Sequence, residues 1–447
     1  MYFELKNIGA INQAKIELGK LTVICGENNR GKTYIAYSLY GFFKSIFSPW
    51  FQGLANYLNS LAQKKRLLTE LKEKGVVRVD LREFEQYRNE IATQLGQLYT
   101  PRLKEVFSAN ADEFVGAEFK IEIEKRIDYS EQYGKISQSN KGVIQASKNE
   151  NSPVLTITQN SDDEQNINYF ILAILFELLV LKNFPRPFIL TAERTGIQQF
   201  QKELDKNRSD LITTLTNTRD LALLDENVSR FALPLQDNID FARNSSNVIK
   251  SNRFLKEEKP ELTAYIEEML GVQYEIIEGQ KVVIDKTTHQ ALPYYMSSTS
   301  VRAVADLHLW LKHKANKGDI LFIDEPELNL HPGNQIKIAR LLVRLINNGI
   351  KVFITTHSDY IIKELNNLLM LADDFPNKEA LMNEFGYTPE DILHEDDLRA
   401  YIADNGTLSR VDTDELGMIK SGFDDAIIQI NETSDKIASA LTEKPIQ

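Results

Sequence analysis

Apolar and polar residues alternate along the first 25 positions, with the period of two that is typical of half-buried strands. Gly9 and Gly19 interrupt this alternation as turn signals, so the pattern predicts two or three short strands. The last of them, residues 21–25, is almost wholly apolar, and a helical spacing of apolar residues begins near Lys32. The chain therefore opens with strands that lead into a helix.

The middle of the chain mixes helical and strand-like patterns. Charged, Leu-rich sequence over residues 54–107 predicts long helices, while alternation over 117–130 predicts a strand with 153–159 as its return partner. The strongly apolar segment 167–182 predicts a helix that belongs either to the core or to an interface, and the core is the preferred interpretation. Residues 197–270 have a mostly polar, helical pattern.

Three later segments have strand patterns. One alternating region predicts a hairpin that turns at Glu278-Gly279. Two short apolar runs, 320–323 and 352–355, predict buried strands of the parallel type. Together with 21–25, they predict a parallel core sheet that carries Val23, Ile323 and Phe353.

Composition narrows the class of protein. The 447 residues carry a net charge of −12, which argues against a dedicated nucleic-acid binder, and the triplet from Lys64 to Arg66 is interpreted as a solvated face. The sequence has no run of 18 or more apolar residues and no signal-peptide pattern at its start. Its one cysteine, Cys25, is interpreted as a buried apolar residue. These features predict a cytoplasmic protein without a membrane partner.

The segment after the first buried strand matches a phosphate-binding loop in full, with a strand before it and a helix after it. The pattern is filled by Gly26, Glu27, Asn28, Asn29, Arg30, Gly31, Lys32 and Thr33. Backbone N–H groups of such a loop surround phosphate, the lysine reaches the outer phosphates and the hydroxyl binds Mg²⁺. A polar turn between strand and helix is the alternative, and a nucleotide site is preferred.

The two later buried strands end in groups that suit the same chemistry. Asp324 and Glu325 follow the run 320–323, and His357 follows the run 352–355. Ligands bind at the carboxyl ends of strands in open α/β sheets. Asp324 is predicted to bind Mg²⁺ directly or through water, and Glu325 to act as general base or to position water. His357 is predicted to contact the γ-phosphate or polarise water.

The motifs GENNRGKT, LFIDEPELNLHP and ITTHS resemble, in the expected order, those of the soluble RecF/SMC/OLD-like branch of ABC-class ATPases. The segment LTAERTGIQQF, which contains Arg194, is similar to one common in small stand-alone members of this group. The resemblance implies an ATP site with Mg²⁺. It also implies a head-to-tail dimer in which a Ser-rich signature contacts the phosphate of the opposite subunit.

The candidate signature is MSSTSVRAVADLHLWLKHK. By resemblance, Ser298 and Thr299 contact phosphate in trans, with Arg302 nearby, although a register shift of one residue is open and an ordinary helix cap is the alternative. The usual glycine of the family is absent here, which puts the turnover rate in question. By the same resemblance, Asn329 and His331 lie across the dimer seam.

The resemblance implies an α/β fold: an ABC-type ATPase cassette with an N-terminal antiparallel strand lobe, a parallel core sheet flanked by helices, and a helical insertion. The predicted segments are a strand lobe with the P-loop (1–45), a helical insertion plus strand-lobe hairpin (46–186), a core strand and helical insertion (187–284), the signature helix with both later motifs (285–370), and a C-terminal extension (371–447). The acidic sequence HEDDLRAYIADNG in the extension is interpreted as an edge hairpin with surface acids, in preference to a nuclease site.

Three functions stay open at this point. The first is an ATP-hydrolysing switch that forms a homodimer or higher homo-oligomer and controls a separately encoded nuclease or toxin in anti-phage defence. The second is a slow or non-hydrolysing ATP-bound scaffold or sensor that sequesters a partner. The third is a DNA-repair type ATPase that binds DNA ends, although the charge does not indicate a nucleic-acid partner.

Overall fold

The computed structural model of the chain describes residues 1–48, 52–124, 129–161, 163–200, 231–248, 259–277, 280–411, 419, 429 and 432–437. Parts of the predicted helical region 197–270, the predicted turn at Glu278-Gly279 and part of the C-terminal extension lie outside these residues. The described chain divides into two compact units, and the segment boundaries given from the sequence stay predictions.

The strands of the described residues follow the chain in order. They are β1 (Tyr2–Ile8), β2 (Ile11–Glu17), β3 (Leu21–Cys25), β4 (Val76–Asp80), β5 (Glu118–Glu122), β6 (Tyr133–Ser139), β7 (Gly142–Lys148), β8 (Val154–Gln159), β9 (Pro187–Leu190), β10 (Val272–Ile277), β11 (Gln280–Asp285), β12 (Ala291–Pro293), β13 (Ile320–Asp324), β14 (Lys351–Thr356), β15 (Leu398–Asp404) and β16 (Thr407–Val411).

The α-helices are given in the same way, and residues 194–200 are also helical. They are α1 (Lys32–Ile46), α2 (Gln52–Ser60), α3 (Ala62–Lys74), α4 (Arg88–Tyr99), α5 (Leu103–Phe107), α6 (Glu164–Leu179), α7 (Leu233–Arg243), α8 (Ser245–Val248), α9 (Pro260–Leu270), α10 (Thr299–His313), α11 (Pro332–Asn347), α12 (Asp359–Met370) and α13 (Lys378–Glu384).

The first unit comprises residues 1–18, 37–188 and 231–233. Strands β5, β1 and β2 pair antiparallel in that order, and β4, β8, β7 and β6 form a separate antiparallel sheet. An aromatic cluster fills its core, with ring centroids of Phe42 5.6 Å from Phe3 and 5.3 Å from Phe119. The predicted antiparallel strand lobe and the helical insertion are thus both present.

One strand prediction and one helix prediction in this unit are wrong. The segment 153–159 does not return beside 117–130, since β8 pairs with β4 and β7 whereas β5 pairs with β1. The reason is that β6 and β7 intervene and offer β8 a neighbouring partner. The predicted long helices of 54–107 are also interrupted, because α3 ends at Gly75 and the β-branched sequence that follows forms β4.

The segment Glu164–Asn183 is long and apolar enough to cross a membrane by length and composition alone. In the structure α6 buries seven side chains in the first unit, among them Ile171 and Ile174. Its polar side chains also bond within this unit, since the Glu177 carboxylate accepts hydrogen bonds from Tyr133 at 3.1 Å and Lys135 at 2.7 Å. This packing agrees with the preferred core interpretation.

The triplet from Lys64 to Arg66 is not a solvated face throughout. Lys64 is buried, with its ammonium donating to Asn59 and Asn168, and burial lowers its pKa. The positive charge of Lys64 is therefore enclosed rather than presented to a polyanion, while Lys65 is exposed.

Gly41 of α1 is closely packed in the first unit. A Cβ atom placed there would lie 2.6 Å from the Tyr99 hydroxyl and 2.7 Å from a Val106 methyl group. Tyr99 cannot move freely, because it is fully buried and donates to the Ser38 carbonyl at 2.6 Å.

We therefore expect Gly41→Ala to lower the free energy of unfolding. Overpacking of a core costs about 1–3 kcal/mol, which exceeds the roughly 1 kcal/mol that alanine gains over glycine in a helix. Urea unfolding measures the difference. Gly196→Ala is the matched control, since that helical glycine has no atom within 4 Å of its added Cβ and should gain stability. Equal gains in both variants would contradict the packing argument.

The second unit comprises residues 19–36, 189–230 and 234–447. Its main sheet has the order β16-β15-β3-β14-β13-β9, and β15, β3, β14 and β13 run parallel. Val23 lies opposite Ile354, which in turn lies opposite Ile323, so the predicted parallel core sheet is confirmed. Helix α11 packs on this sheet, and the predicted α/β class is therefore also confirmed.

The acidic C-terminal sequence does form a hairpin, but its first strand is not an edge. Strand β15 lies between β16 and β3, with Ala400 opposite Val23. Side chains on both of its faces are buried, Leu398 on one and Tyr401 on the other, which is typical of a strand in the interior of a sheet. The interpretation as an edge hairpin is wrong for β15.

Candidate functional site

Three parallel strands of the second unit end at the same edge of the sheet. Strand β3 ends at Cys25, β13 at Asp324 and β14 at Thr356. Because neighbouring parallel strands present their carboxyl ends together, the loops that follow them converge. The phosphate-binding loop, the Asp-Glu pair and His357 are therefore positioned by one sheet.

The loop after β3 is shaped by glycine and by the C-terminal hairpin. Gly26 has φ +144°, and a Cβ atom there would lie 2.6 Å from the Ala403 carbonyl oxygen. Only glycine accepts this backbone angle and this close approach without strain. The loop then enters α1 at Lys32, so the N-terminal N–H groups of the helix face the loop.

The side chain of Arg30 braces the loop. It donates to the Glu27 carboxylate at 2.6 Å and to the Asn405 side-chain oxygen at 3.2 Å, and it lies 3.7 Å from Asp404. Asn28, Asn29 and Glu27 are exposed on the same loop. The predicted phosphate-binding residues are thus held between α1 and the tip of the β15–β16 hairpin.

Lys32 is buried and turned toward its own loop. Its ammonium donates to the carbonyl oxygens of Gly26 at 2.7 Å and Glu27 at 2.8 Å. Burial lowers the pKa of Lys32, while the charges of Glu325 and Asp324 oppose that shift. A buried cation without an ion pair in the described residues has free energy to gain from an anion such as phosphate.

Thr33 and Asp324 are in direct contact although 291 residues separate them. The Thr33 hydroxyl donates to the Asp324 carboxylate at 2.9 Å, and the Thr355 hydroxyl donates to its other oxygen. Asp324 is buried, and burial raises its pKa. A hydroxyl and a carboxylate are hard oxygen ligands of the kind that Mg²⁺ accepts beside substrate phosphates.

The protein offers few side-chain ligands for a metal ion at this site. Among the described residues no group of three or more His, Cys, Asp and Glu side chains could hold a metal ion. A Mg²⁺ ion at Thr33 and Asp324 would need phosphate oxygens and water to complete its ligands, which is how this ion is usually bound in nucleotide sites. The residues present fit such an ion.

Glu325 and His357 lie next to each other at the mouth of the site. The Glu325 carboxylate is 3.4 Å from Nδ1 of His357, and both side chains remain partly exposed. Glu325 has φ +53°, an uncommon backbone angle for a residue other than glycine. Its N–H donates to the Thr355 carbonyl at 3.1 Å.

Sequence reasoning missed Glu327. This carboxylate is buried, accepts hydrogen bonds from the His357 N–H at 2.8 Å and the Thr356 hydroxyl at 2.9 Å, and lies 3.2 Å from Nδ1 of His357. Burial raises its pKa. The sequence feature that could have indicated it is the motif Glu-Pro-Glu, in which Glu327 is the second glutamate and lies three positions after a buried strand.

The role of Arg194 was also missed, although its segment was noted. Its guanidinium is buried and donates to the backbone carbonyls of Asp324 at 2.9 Å and Glu325 at 2.7 Å. Burial lowers the pKa of Arg194 to about 10, and the charge of Glu327 opposes the shift.

Cys25 nearby is buried, with its pKa raised to about 12 by burial, so its interpretation as an inert apolar residue stands.

The predicted signature residues lie at the start of α10. Ser298 is the N-cap of α10 and accepts from the Val301 N–H at 3.4 Å, while Thr299 begins the helix. Both side chains are exposed. The predicted apolar stripe of Val304, Leu307 and Leu311 is buried.

Residues predicted at a dimer seam have bonds within their own chain. Asn329 accepts a hydrogen bond from the Ser300 hydroxyl at 2.6 Å through its carbonyl, and it has φ +61°. His331 is the N-cap of α11 and accepts from the Gly333 N–H at 3.2 Å. These bonds explain the local fold of the segment, and a contact with a second copy stays a prediction.

A strand, a phosphate-binding loop and a helix, with an acidic strand end bonded to the loop threonine, define the site of a P-loop ATPase. The profile of the AAA ATPase domain family matches residues 1–362, and the chain belongs to this family. The protein is an ATPase, as the resemblance of its motifs implied. A search of curated proteins found no match.

Solved structures similar to this chain include three SMC head domains. The Smc head bound to the C-winged helix domain of ScpA is 11% identical, with a TM-score of 0.35, and covers 92% of this chain and 96% of its own. The SMC head from Thermotoga maritima is 10% identical, with a TM-score of 0.30 and coverages of 92% and 98%. A third has an extended coiled coil and is bound to the C-terminal domain of ScpA derived from Pyrococcus furiosus. It is 11% identical, with a TM-score of 0.30 and coverages of 97% and 98%.

Proposed function

We propose that this ATPase is a cytoplasmic switch in which ATP with Mg²⁺ is enclosed between two copies of the chain. The contact of Thr33 with Asp324 carries the proposal, because it joins the phosphate-binding loop to the acidic strand end. Glu325 and His357, 3.4 Å apart, are the groups proposed to act on water.

Each residue of the site has a proposed part in hydrolysis. The N–H groups from Gly26 to Gly31 bind the phosphates, and Lys32 leaves the loop carbonyls to neutralise the outer phosphates. Thr33 and Asp324 hold the Mg²⁺ ion, which when bound neutralises negative charge on the phosphates.

Two side chains are proposed to act on the attacking water. Glu325 accepts the proton of the attacking water, and His357 orients that water or contacts the γ-phosphate. Glu327 fixes the backbone of His357 through the 2.8 Å hydrogen bond.

The dimer is supported by the exposure of two hydroxyl side chains. Ser298 and Thr299 are exposed at the N-terminus of α10, where helix N–H groups and hydroxyls favour an anion. They are proposed to contact the phosphate held by a second copy. Opening and closing of this dimer would then control a separately encoded nuclease or toxin in anti-phage defence, a role that rests on the family resemblance.

ATP-dependent association tests the dimer. With Mg²⁺ and ATP the purified chain is expected to double its mass in analytical ultracentrifugation, whereas ADP should leave it monomeric. Thr299→Glu should abolish the doubling, because a carboxylate stabilises the N-terminus of its own helix but repels the phosphate of a second copy. Thr287→Glu, in an exposed turn, is the control and should dimerise normally. A mass that ignores ATP would refute the dimer.

Two other functions make different predictions. A non-hydrolysing scaffold, favoured by the missing signature glycine, binds ATP and dimerises without turnover. A DNA-end binder shows ATPase stimulation by DNA that falls steeply with salt. A cavity of about 470 Å³ lined by Lys20, Lys259, Lys317 and Lys351 favours this last function because it concentrates lysines. Two of these lysines have carboxylate partners, with Asp397 2.9 Å from Lys20 and Glu261 3.4 Å from Lys259. Purification of the native complex would identify the partner.

A further inference from the structure

The guanidinium of Arg194 joins three parts of the second unit through backbone carbonyls. Nε donates to Ala303 of α10 at 3.0 Å, and Nη1 donates to Thr191 at 3.1 Å and to Asp324 at 2.9 Å. Nη2 donates to Glu325 at 2.7 Å. A buried arginine is usually paired with a carboxylate, yet within the described residues none lies within 4 Å of this guanidinium.

The charge is instead stabilised by carbonyl dipoles and by carboxylates at longer range. Glu327, Asp324 and Glu325 each favour the cationic form of Arg194, against the effect of its burial. The planar guanidinium offers five N–H donors in a fixed geometry, which suits several carbonyls at once. A lysine ammonium, as a compact charge with three donors, cannot span the same set.

The hydrogen bond from Arg194 to the Glu325 carbonyl affects the direction of the Glu325 side chain. A residue other than glycine at φ +53° persists only where its surroundings hold it there. Here the two sides of the residue are held separately: its N–H by the Thr355 carbonyl at 3.1 Å and its carbonyl by Arg194. The direction of the carboxylate depends on both.

The contact with Ala303 extends this arrangement to α10. That helix begins with Thr299 and is capped by Ser298, the residues proposed to meet phosphate in trans. Since one rigid guanidinium group bonds both Ala303 and Glu325, a displacement of the first turns of α10 would displace the backbone of Glu325. When α10 of one copy contacts the phosphate of the other copy, the position of the Glu325 carboxylate in the first copy would therefore change.

We propose that Arg194 is a positioning residue that sets the orientation of the Glu325 carboxylate and couples it to α10. This inference rests on the proposed role of Glu325 in hydrolysis. Arg194 need not touch ATP, so its loss should affect turnover much more than binding.

Arg194→Lys is the test. Displacement of a reacting group by about 1 Å costs on the order of 10²-fold in rate, so we expect kcat to fall about 10- to 100-fold while the ATP dissociation constant stays within about twofold. Arg344→Lys is the matched control, because Arg344 is a half-buried arginine that donates to Asp391 at 2.6 Å outside the site. It should lose stability but keep its turnover.

A double variant separates positioning from general destabilisation. If Arg194 acts through Glu325, Arg194→Lys combined with Glu325→Gln should turn over no more slowly than Glu325→Gln alone. All rates are measured below the unfolding midpoint of each variant. Should Arg194→Lys fail to fold, Arg194→Gln replaces it, since a neutral amide needs no counter-charge.

Three outcomes overturn the inference. They are a wild-type kcat for Arg194→Lys, an equal loss in Arg344→Lys, and a double variant slowed by the product of the two single effects. A wild-type rate for Glu325→Gln itself would refute the proposed role of Glu325 as well. A normal Arg194→Lys beside an impaired Glu325→Gln would refute only the inference.

Discussion

Glu325→Gln is expected to lower ATP turnover by about 10²- to 10⁴-fold while ATP binding is retained, because removal of a general base typically has an effect of that size. Glutamine has the shape of glutamate but cannot accept the proton of the attacking water. The carboxylate is partly exposed and lies 3.4 Å from His357, so the replacement leaves no buried charge unpaired. Steady-state phosphate release and ATP titration together measure the two quantities.

The same variant should accumulate the ATP-bound dimer, since ATP is bound but not hydrolysed. Glu384→Gln is a suitable control, because Glu384 is exposed on α13. Hydrolysis at the wild-type rate by Glu325→Gln would refute the assignment of the general base. A loss of ATP binding would instead mean that Glu325 supports the loop.

Lys32→Met is expected to weaken ATP binding by about 10- to 100-fold. Hydrogen bonds to a charged group contribute about 1.5–3 kcal/mol, and each 1.4 kcal/mol corresponds to a factor of ten. Methionine fills a similar volume without a charge, so a change in packing does not confound the measurement. Lys286→Met, in an exposed turn, is the control.

Stability distinguishes this loss of binding from misfolding. Because burial lowers the pKa of Lys32 in the folded chain, the unfolded chain binds its proton more tightly, and folding disfavours the charged form. The free energy of unfolding of Lys32→Met should therefore equal or exceed that of the wild type at neutral pH.

The pH dependence follows from the same shift. As pH rises toward the ordinary lysine pKa of 10.5, the free energy of unfolding of the wild type should increase relative to that of Lys32→Met. The reason is that Lys32 loses its proton at a lower pH in the folded chain than in the unfolded chain. Urea unfolding at several pH values measures this difference. A difference in the free energy of unfolding that stays constant as pH rises would contradict this dependence, and a Lys32→Met chain less stable than the wild type at neutral pH would contradict the preceding expectation.

The site residues that could be predicted from the sequence are those that belong to a contiguous pattern in the chain. Lys32 and Thr33 follow from a strand, a loop pattern and a helix that are contiguous in the chain, and Asp324 follows from a short apolar run whose length is typical of a buried strand. Their meeting in space was an inference from the rule that parallel strands end at one edge. The contact of Thr33 with Asp324 agrees with it.

The residues that sequence missed depend on contacts with no local pattern. Arg194 bonds carbonyls more than 100 positions away in the chain, and nothing in its neighbours reveals that its side chain is enclosed. Glu327 looks like a surface acid because hydropathy cannot report that Thr356 and His357 supply its hydrogen bonds. The place of β15 was missed for the same reason, since the periodicity of a strand does not name its neighbour.

The contact between the phosphate-binding loop and the β15–β16 hairpin bears on biosynthesis. Arg30 and Asn405 are 375 positions apart, and the two strands that flank β3 are β14 and β15, which come far later in the chain. A nascent polypeptide leaving the ribosome therefore carries the loop long before the neighbours that shape it have been made. The nucleotide pocket can mature only after β15 has been translated, and until then β3 presents unpaired backbone groups that can pair with other chains.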